Sequence, residues 1–185
     1  MLAVLLTEIS IVVFLTLLNG VLAMSELAVV SSRPARLKVM SELGNHGALV
    51  AIRLAEDPGR FLSTVQIGIT LVGVLSGAFS GATLGARLSD WLELQGVSNG
   101  VSDAVGVGFV VMMITYLSLI VGELVPKQIA LRNPEAVAAR VAMSMLVLSK
   151  VSAPLVWLLN GSGKLILSLL GQQGVSAGTV TDEEI

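Results

Sequence analysis

Residues 101–131 read VSDAVGVGFVVMMITYLSLIVGELVPKQIAL and form one long apolar run. A helix needs about 20 residues to cross the hydrocarbon core of a bilayer, which is about 30 Å thick. This stretch is long enough, and its strongly apolar part stops only at the polar segment Gly122–Lys127. It therefore predicts a membrane-spanning helix that carries polar residues near one end.

Two further apolar runs precede it, from Met1 to about Val30 and from Phe61 to about Leu88. The first run has no basic leader, contains Glu8 and is too long for the core of a signal peptide, so we interpret it as a retained membrane helix. The chain is 54% hydrophobic and 13% charged, whereas soluble domains carry about 25% charged residues. The sequence thus predicts an all-α integral membrane protein with three transmembrane helices.

The segment from Ser31 to Asp57 has a different pattern, in which charged residues alternate with apolar ones. This pattern is typical of short amphipathic helices at a membrane surface. Gly44–Gly47 (GNHG) predicts the turn between two such helices. Asp57 and Pro58 then suit the N-cap and the first position of the helix that contains the second apolar run.

The stretch from Val137 to Leu170 is apolar but contains a basic residue about once in ten. Two interpretations stay open: a fourth span, or a bent pair of helices along the inner membrane surface. The recurring charges favour the bent pair, because a charged side chain within the bilayer is costly. We expect residues 1–170 to form a transmembrane domain with a belt of juxtamembrane helices, and residues 171–185 to begin a linker to a cytosolic region outside this sequence.

The eleven lysine and arginine residues fall almost entirely on one side of the predicted membrane. Five lie between the first and second spans, five lie at or after the end of the third, and Arg87 alone lies near the other side. The positive-inside rule then places the N-terminus outside and the C-terminus in the cytoplasm. We expect a multi-pass protein of the cell (inner) membrane, with its amphipathic helices on the cytoplasmic side.

The sequence lacks the residues that several classes of function require. It has no cysteine and a single histidine, His46, so it offers no disulfide, zinc–thiolate site or histidine metal cluster. It contains no phosphate loop, catalytic triad or metal-hydrolase motif, and no basic nucleic-acid patch. We therefore expect neither an enzyme nor a nucleic-acid-binding protein.

Glu123 lies near the inner end of the third run, three residues before Pro126. A proline cannot donate a hydrogen bond to the carbonyl four residues earlier, which here belongs to Gly122. A carboxylate beside a free carbonyl would suit a hard cation, which prefers oxygen ligands. The alternative is that Glu123 forms an i, i+4 ion pair with Lys127 near the surface, and the spacing favours neither.

Two other polar clusters lie toward the same side of the membrane. Ser25 and Glu26 lie near the inner end of the first span, at a depth similar to that of Glu123 by residue count. Ser63–Thr70 (STVQIGIT) opens the second span. The Ser25 hydroxyl could instead bond to its own helix, with Glu26 reaching the interface, and the polar residues of the second cluster could instead bond to a neighbouring helix. The stretch 75–82 (LSGAFSGA) is rich in small residues and predicts a packing face.

Three motifs follow one another along the chain. They are Met24–Ser31 (MSELAVVS), Asp57–Val72 (DPGRFLSTVQIGITLV), and Gly122–Lys127 (GELVPK) followed by Arg132–Glu135 (RNPE). Together they resemble the transmembrane domain of the CorC/CNNM (cyclin M) family of magnesium transporters. Their order and spacing cover nearly the whole chain, which makes the resemblance more specific than any one motif.

The resemblance implies a homodimer in which each subunit has three spans and a membrane-surface belt of helices. It implies a helical linker into a cytosolic pair of nucleotide-binding CBS modules beyond this sequence. It also implies a cation site, with Mg²⁺ as the transported substrate, lined by Ser25, the Ser63/Thr64 region, Gly122 and Glu123.

One departure from the family pattern lies on the second span. Members of the family often have asparagine just after the Ile-Gly of that span and again a few residues on. The corresponding positions here are Ile69 and Gly73. The second span therefore offers fewer side-chain oxygens to a cation.

Three functional hypotheses follow. The favoured one is Mg²⁺ export, driven by an opposing gradient such as that of Na⁺. The second is a non-transporting membrane anchor or regulator of the cytosolic CBS region, which would dock on the basic segment Ser31–Asp57. The third is a proton-coupled carrier that uses Glu26 and Glu123 as relays. Transport direction, coupling ion and stoichiometry are not determined by the sequence.

Overall fold

The computed structural model of the chain describes residues 2–169, apart from the side chain of Lys164. This part of the chain is helical between short turns and contains no strand. Its α-helices are α1 (Leu2–Ser31), α2 (Pro34–Glu42), α3 (His46–Glu56), α4 (Pro58–Ser80), α5 (Ala86–Leu94), α6 (Asn99–Leu119), α7 (Val125–Arg132), α8 (Pro134–Val151) and α9 (Ala153–Leu169). The linker expected at residues 171–185 lies outside the described residues.

Three helical segments are long and apolar enough to cross a membrane, as the sequence predicted. The first span is α1. The second is the continuous segment Pro58–Leu94, which contains α4 and α5, and the third is Asn99–Arg132, which contains α6 and α7. Most of their apolar side chains are exposed, as expected for surfaces that face lipid.

The second and third spans each contain one π-helical turn, which the sequence did not predict. These turns are Gly81–Gly85 in the second span and Ile120–Leu124 in the third. A π-turn inserts an extra residue into a helix and occurs frequently at functional sites. The second of these turns contains both Gly122 and Glu123.

The short helices between the first and second spans form as expected. Asn45 caps α3 by accepting a hydrogen bond from the backbone nitrogen of Ala48 at 3.1 Å. Asp57 caps the second span by accepting one from the backbone nitrogen of Arg60 at 3.3 Å. Both caps satisfy amide groups that have no partner within their own helix.

Helices α8 and α9 form the bent pair that the sequence favoured, with an angle of 64° between them. The pair is long and apolar enough to count as a fourth, broken span by length and composition. Its position relative to the membrane surface stays a prediction.

The main buried core lies at the end of the domain that carries most of the lysines and arginines, which we call the basic end. There α3 and α8 pack against each other and against the last part of α1 and the first part of α4. Small alanines on α3 and α8 allow the close approach, and Leu37 of α2, Phe61 and Val65 fill the space between the helices. This core holds the basic ends of the first two spans together.

Candidate functional site

A hydrogen bond joins the first span to the third near the middle of the domain. The side-chain Nδ2 of Asn19 donates to the carbonyl oxygen of Gly122 over 3.1 Å, and Asn19 is only 9% exposed. The sequence predicted a free Gly122 carbonyl because of Pro126, and the structure gives that carbonyl a partner from another span. Ser25 was expected at a depth similar to that of Glu123, and the residue of the first span that bonds to Gly122 is Asn19, six positions earlier and about 9 Å away along the helix axis.

Glycines bring the two backbones close enough for this bond. A Cβ atom on Gly20 would lie 3.0 Å from Cγ of Pro126 and 3.3 Å from the carbonyl oxygen of Val121. A Cβ atom on Gly122 would lie 3.1 Å from the carbonyl oxygen of Thr16. Such contacts between small residues are the usual way in which membrane helices approach each other.

A cavity of about 210 Å³ opens between the three spans beside this hydrogen bond, and we call it the inter-span cavity. Glu123 supplies a carboxylate to its wall, and Asn19 supplies its amide. The Oδ1 atom of Asn19 and the Oγ atom of Ser76 are buried and accept or donate no hydrogen bond among the described residues. The complete lining is Asn19, Ile69, Gly73, Ser76, Gly77, Ile114, Thr115, Ser118, Leu119 and Glu123.

Both interpretations of Glu123 describe part of its geometry. Its Oε1 atom lies 2.7 Å from Nζ of Lys127, one helical turn away, and each side chain is about one-third exposed (35% and 32%). An exposed pair of this kind contributes little to stability, at most about 1 kcal/mol. The same carboxylate lines the inter-span cavity, so the ion pair does not remove it from the site.

The other predicted site residues do not line the inter-span cavity. The Ser25 hydroxyl donates to the carbonyl of Val21 at 2.6 Å, and the Thr64 hydroxyl donates to that of Arg60 at 2.9 Å. Both side chains are buried and bond to their own helices, which matches the alternative interpretation of Ser25 but not that of Thr64, for which a neighbouring helix was the alternative partner. Ser63 faces a separate cavity of about 540 Å³ between α4 and α9. The structure therefore brings together Gly122 and Glu123, while the other three lie toward the basic end.

The two positions where relatives often carry asparagine, Ile69 and Gly73, both line the inter-span cavity. A Cβ atom at Gly73 would meet no atom within 4 Å. The departure from the family pattern thus falls on the wall that faces Glu123, where it replaces potential oxygen ligands with apolar surface.

Sequence reasoning missed four polar residues of this wall: Asn19, Ser76, Thr115 and Ser118. Asn19 could have been identified from the sequence as a candidate site residue, because an amide in the middle of an apolar span needs a partner. Ser76 lies in the stretch 75–82, which was interpreted as a packing face. That interpretation also holds, since Ser76, Ser80 and Gly81 are buried.

The path from the inter-span cavity to the opposite, less basic end is apolar. A second cavity of about 240 Å³ follows in that direction, lined by residues such as Val12, Leu84 and Leu117. Beyond it, Arg87 donates two hydrogen bonds to Glu8, at 2.7 Å and 2.9 Å. This ion pair clamps the first span to the second on the side away from the basic end.

These features define a multi-pass, all-helical membrane domain with a polar cavity between its spans. The chain belongs to the cyclin M family, because the family model for the cyclin M transmembrane N-terminal domain matches residues 10–185. This match confirms the resemblance inferred from the three motifs.

Similar proteins are known from several bacteria. A UPF0053 protein of Synechocystis sp. is 44% identical over 178 residues, covering 96% of this chain and 40% of the relative. The UPF0053 protein YhdT of Bacillus subtilis is 31% identical over 163 residues (87% and 35%). The polyamine export protein of Escherichia coli K12 is 28% identical over 180 residues (97% and 40%). The chain spans about two-fifths of the length of these relatives.

Proposed function

We propose that this chain forms the membrane domain of a cation exporter and that the inter-span cavity binds the cation. The observation that carries the proposal is the lining itself, which combines one acidic residue, Glu123, with Asn19 and Ser76, whose buried oxygens have no partner among the described residues. A buried polar group without a hydrogen bond costs roughly 1–3 kcal/mol. A bound cation, directly or through its water shell, would supply the missing partner.

Mg²⁺ is the substrate that the family resemblance favours. It prefers six oxygen ligands at about 2.0–2.1 Å and usually keeps several of its waters. A cavity of about 210 Å³ has room for the ion with such waters, since a water occupies about 30 Å³. Glu123 would bind it directly, and the Gly122 carbonyl retains a second lone pair beside the bond from Asn19.

Ser25, Ser63 and Thr64 enter the proposal as a second group of oxygens on the basic side. They lie five or six residues from the cavity-lining positions of their own spans, or about 8–9 Å along the helix axis. Their hydroxyls would contact the cation as it passes between the basic end and the inter-span cavity. Both hydroxyls can keep donating to their own helices meanwhile, because a hydroxyl oxygen retains lone pairs for a cation.

The proposed direction of transport rests on which side of the inter-span cavity is closed. With the basic end in the cytoplasm of the cell (inner) membrane, the apolar cavity and the Glu8–Arg87 pair would close the outer side. The cation would then load from the cytoplasm and leave outward after those contacts open, with an inward gradient such as that of Na⁺ as the driving force. Transport would take place in a homodimer, as the family resemblance implies.

A second candidate substrate is an organic dication, and two observations favour it. Glu123 already pairs at 2.7 Å with the alkylammonium group of Lys127, and the adjacent wall at Ile69 and Gly73 is apolar. A linear polyamine could replace the lysine head group at the carboxylate and lay its methylene groups against this wall. The E. coli relative is named a polyamine export protein.

The test is flux through proteoliposomes that contain the intact protein. One arm measures Mg²⁺ with an enclosed fluorescent indicator, and a second measures radiolabelled 1,4-diaminobutane. Glu123→Gln should lower the flux of the true substrate at least about tenfold, which corresponds to about 1.4 kcal/mol. Glu42→Gln, which neutralises an exposed carboxylate on α2, should leave it unchanged.

The outcomes separate the hypotheses. Loss of Mg²⁺ flux alone supports the first candidate, and loss of diamine flux alone supports the second. Full flux of both substrates in Glu123→Gln would overturn the cation site. No flux of either in the wild-type protein would favour the membrane anchor, and flux that follows a proton gradient would favour the proton-coupled carrier.

A further inference from the structure

Another cavity lies at the basic end and shares no lining residue with the inter-span cavity. It measures about 230 Å³ and is enclosed by α3, the first turn of α4 and the last part of α8. Three cationic side chains reach it, one from each helix: Arg53, Arg60 and Lys150. Helices distant in sequence thus place three positive charges around one space, and we call it the basic cavity.

The charges of the basic cavity are not neutralised within the described part of the chain. Arg36, Arg87 and Lys127 each have a carboxylate within 4.0 Å, but Arg53, Arg60 and Lys150 form no such pair among residues 2–169. Asp57 is the acidic residue of the lining, and one of its oxygens is used to cap α4. Three cations against one carboxylate leave an excess of two positive charges.

Two further groups in this cavity would favour an anion. The first turn of the 23-residue helix α4 borders it, and the N-terminus of a helix carries a partial positive charge. Ser149 also lines the cavity, is only 6% exposed and forms no hydrogen bond within the described residues. A buried hydroxyl that faces a cationic space is suited to donate to an anionic oxygen.

The surroundings are apolar, which distinguishes this place from an ordinary basic surface. Leu54 and Phe61 form a buried floor, with exposed fractions of 5% and 2%. Beside Lys150 on α8, the side chains of Val147 and Val151 are exposed. An amphiphile could therefore place a charged head group among the cations and its acyl chains along this apolar face.

We propose that the basic cavity binds the phosphate of an anionic phospholipid head group. Basic pockets between membrane helices on the side facing the anionic leaflet are suited to such head groups. Arg53 and Arg60 would donate paired hydrogen bonds to phosphate oxygens, as the planar guanidinium allows, while Lys150 and Ser149 would complete the shell. The bound lipid would fasten α3 and α8 to the start of the second span.

The test is native mass spectrometry of the intact protein, released from mixed micelles that contain equal amounts of phosphatidylglycerol and phosphatidylcholine. The wild-type protein should retain phosphatidylglycerol preferentially. The triple variant R53Q/R60Q/K150Q should lose that preference by about tenfold or more, since each cation near a membrane surface contributes to anionic-lipid binding. The control K38Q/R132Q/R140Q removes the same charge from exposed positions outside the cavity and should keep the preference.

A second arm separates a lipid head group from free phosphate. Inorganic phosphate at about 10 mM should not displace the phosphatidylglycerol, because the acyl chains add apolar contacts that free phosphate lacks. Displacement by phosphate would overturn the lipid assignment. Equal loss in both triple variants, or no loss in R53Q/R60Q/K150Q with its thermal midpoint unchanged, would overturn the site itself. Circular dichroism of each variant shows whether it has folded, and the single variant K150Q provides the same comparison if the triple variant does not.

Discussion

Asn19 on the first span and Gly122 on the third are joined by a hydrogen bond of 3.1 Å from the amide Nδ2 to the carbonyl oxygen. The bond lies at the wall of the inter-span cavity, where the other amide atom of Asn19 has no partner. One side chain therefore couples two spans and holds a buried amide oxygen beside the cavity. The structural role of Asn19 and its proposed role in transport can be separated by experiment.

Asn19→Leu should lower stability modestly and transport strongly. Hydrogen bonds between membrane helices contribute about 0.6 kcal/mol on average and up to about 1.7 kcal/mol. The free energy of unfolding, measured by thermal unfolding in detergent, should fall by that amount. Flux should fall further, because the variant also removes the amide oxygen from the cavity. Ser10→Ala, which removes a hydroxyl that bonds to its own helix on the exposed face of α1, serves as the control. Unchanged flux in Asn19→Leu would show that the amide takes no part in transport.

Lys127→Gln should strengthen cation binding. The lysine ammonium lies 2.7 Å from the Glu123 carboxylate, so a cation entering the site must displace it or share the carboxylate with it. Removing this competitor should lower the dissociation constant for the substrate cation by a few-fold, within the range of about 0–1 kcal/mol typical of exposed pairs. Isothermal titration calorimetry of the intact protein measures this. Weaker binding in Lys127→Gln would mean that the lysine helps to hold the site together.

Asparagine at the two apolar wall positions should raise the affinity of the inter-span cavity for Mg²⁺. The double variant Ile69→Asn and Gly73→Asn would add two amide oxygens to the lining that includes Glu123, and a Cβ atom at residue 73 meets no atom within 4 Å. We expect Mg²⁺ affinity to rise about tenfold. Ile67→Asn serves as the control. It places the same side chain at the cavity between α4 and α9 and should leave Mg²⁺ affinity unchanged. Equal affinity in the wild type and the double variant would count against Mg²⁺ coordination at this wall.

Two glycines on α6 should respond in opposite ways to alanine. A Cβ atom at Gly106 would lie 2.6 Å from the backbone nitrogen of Ser89, whereas one at Gly108 would meet nothing within 4 Å. Gly106→Ala should destabilise the hairpin of α5 and α6 by about 1–3 kcal/mol through overpacking. Gly108→Ala should be neutral or slightly stabilising, since alanine favours helices. Thermal unfolding of both variants tests the packing, and equal midpoints would contradict it.

The number of spans, the cap at Asp57 and the bent helix pair could be predicted from the sequence because each depends on local chemistry. Apolar runs of sufficient length predict spans whatever they pack against, and Asp57 followed by Pro58 starts a helix in any context. The Glu123–Lys127 pair was predictable for the same reason, since residues four apart are neighbours on any helix. The family resemblance came from the same local motifs and was confirmed.

The level at which the spans meet depended on tertiary structure. Counting residues placed Ser25 only at a depth similar to that of Glu123, whereas the contacts at Gly20 and Gly122, beside the π-turn of the third span, place Asn19 opposite Gly122. A shift of six residues moves a side chain about 9 Å along the axis, which is enough to exchange one wall of a cavity for another. The sequence determined that the domain carries a carboxylate within a membrane helix, and only the packing of the three spans decided which oxygens accompany it.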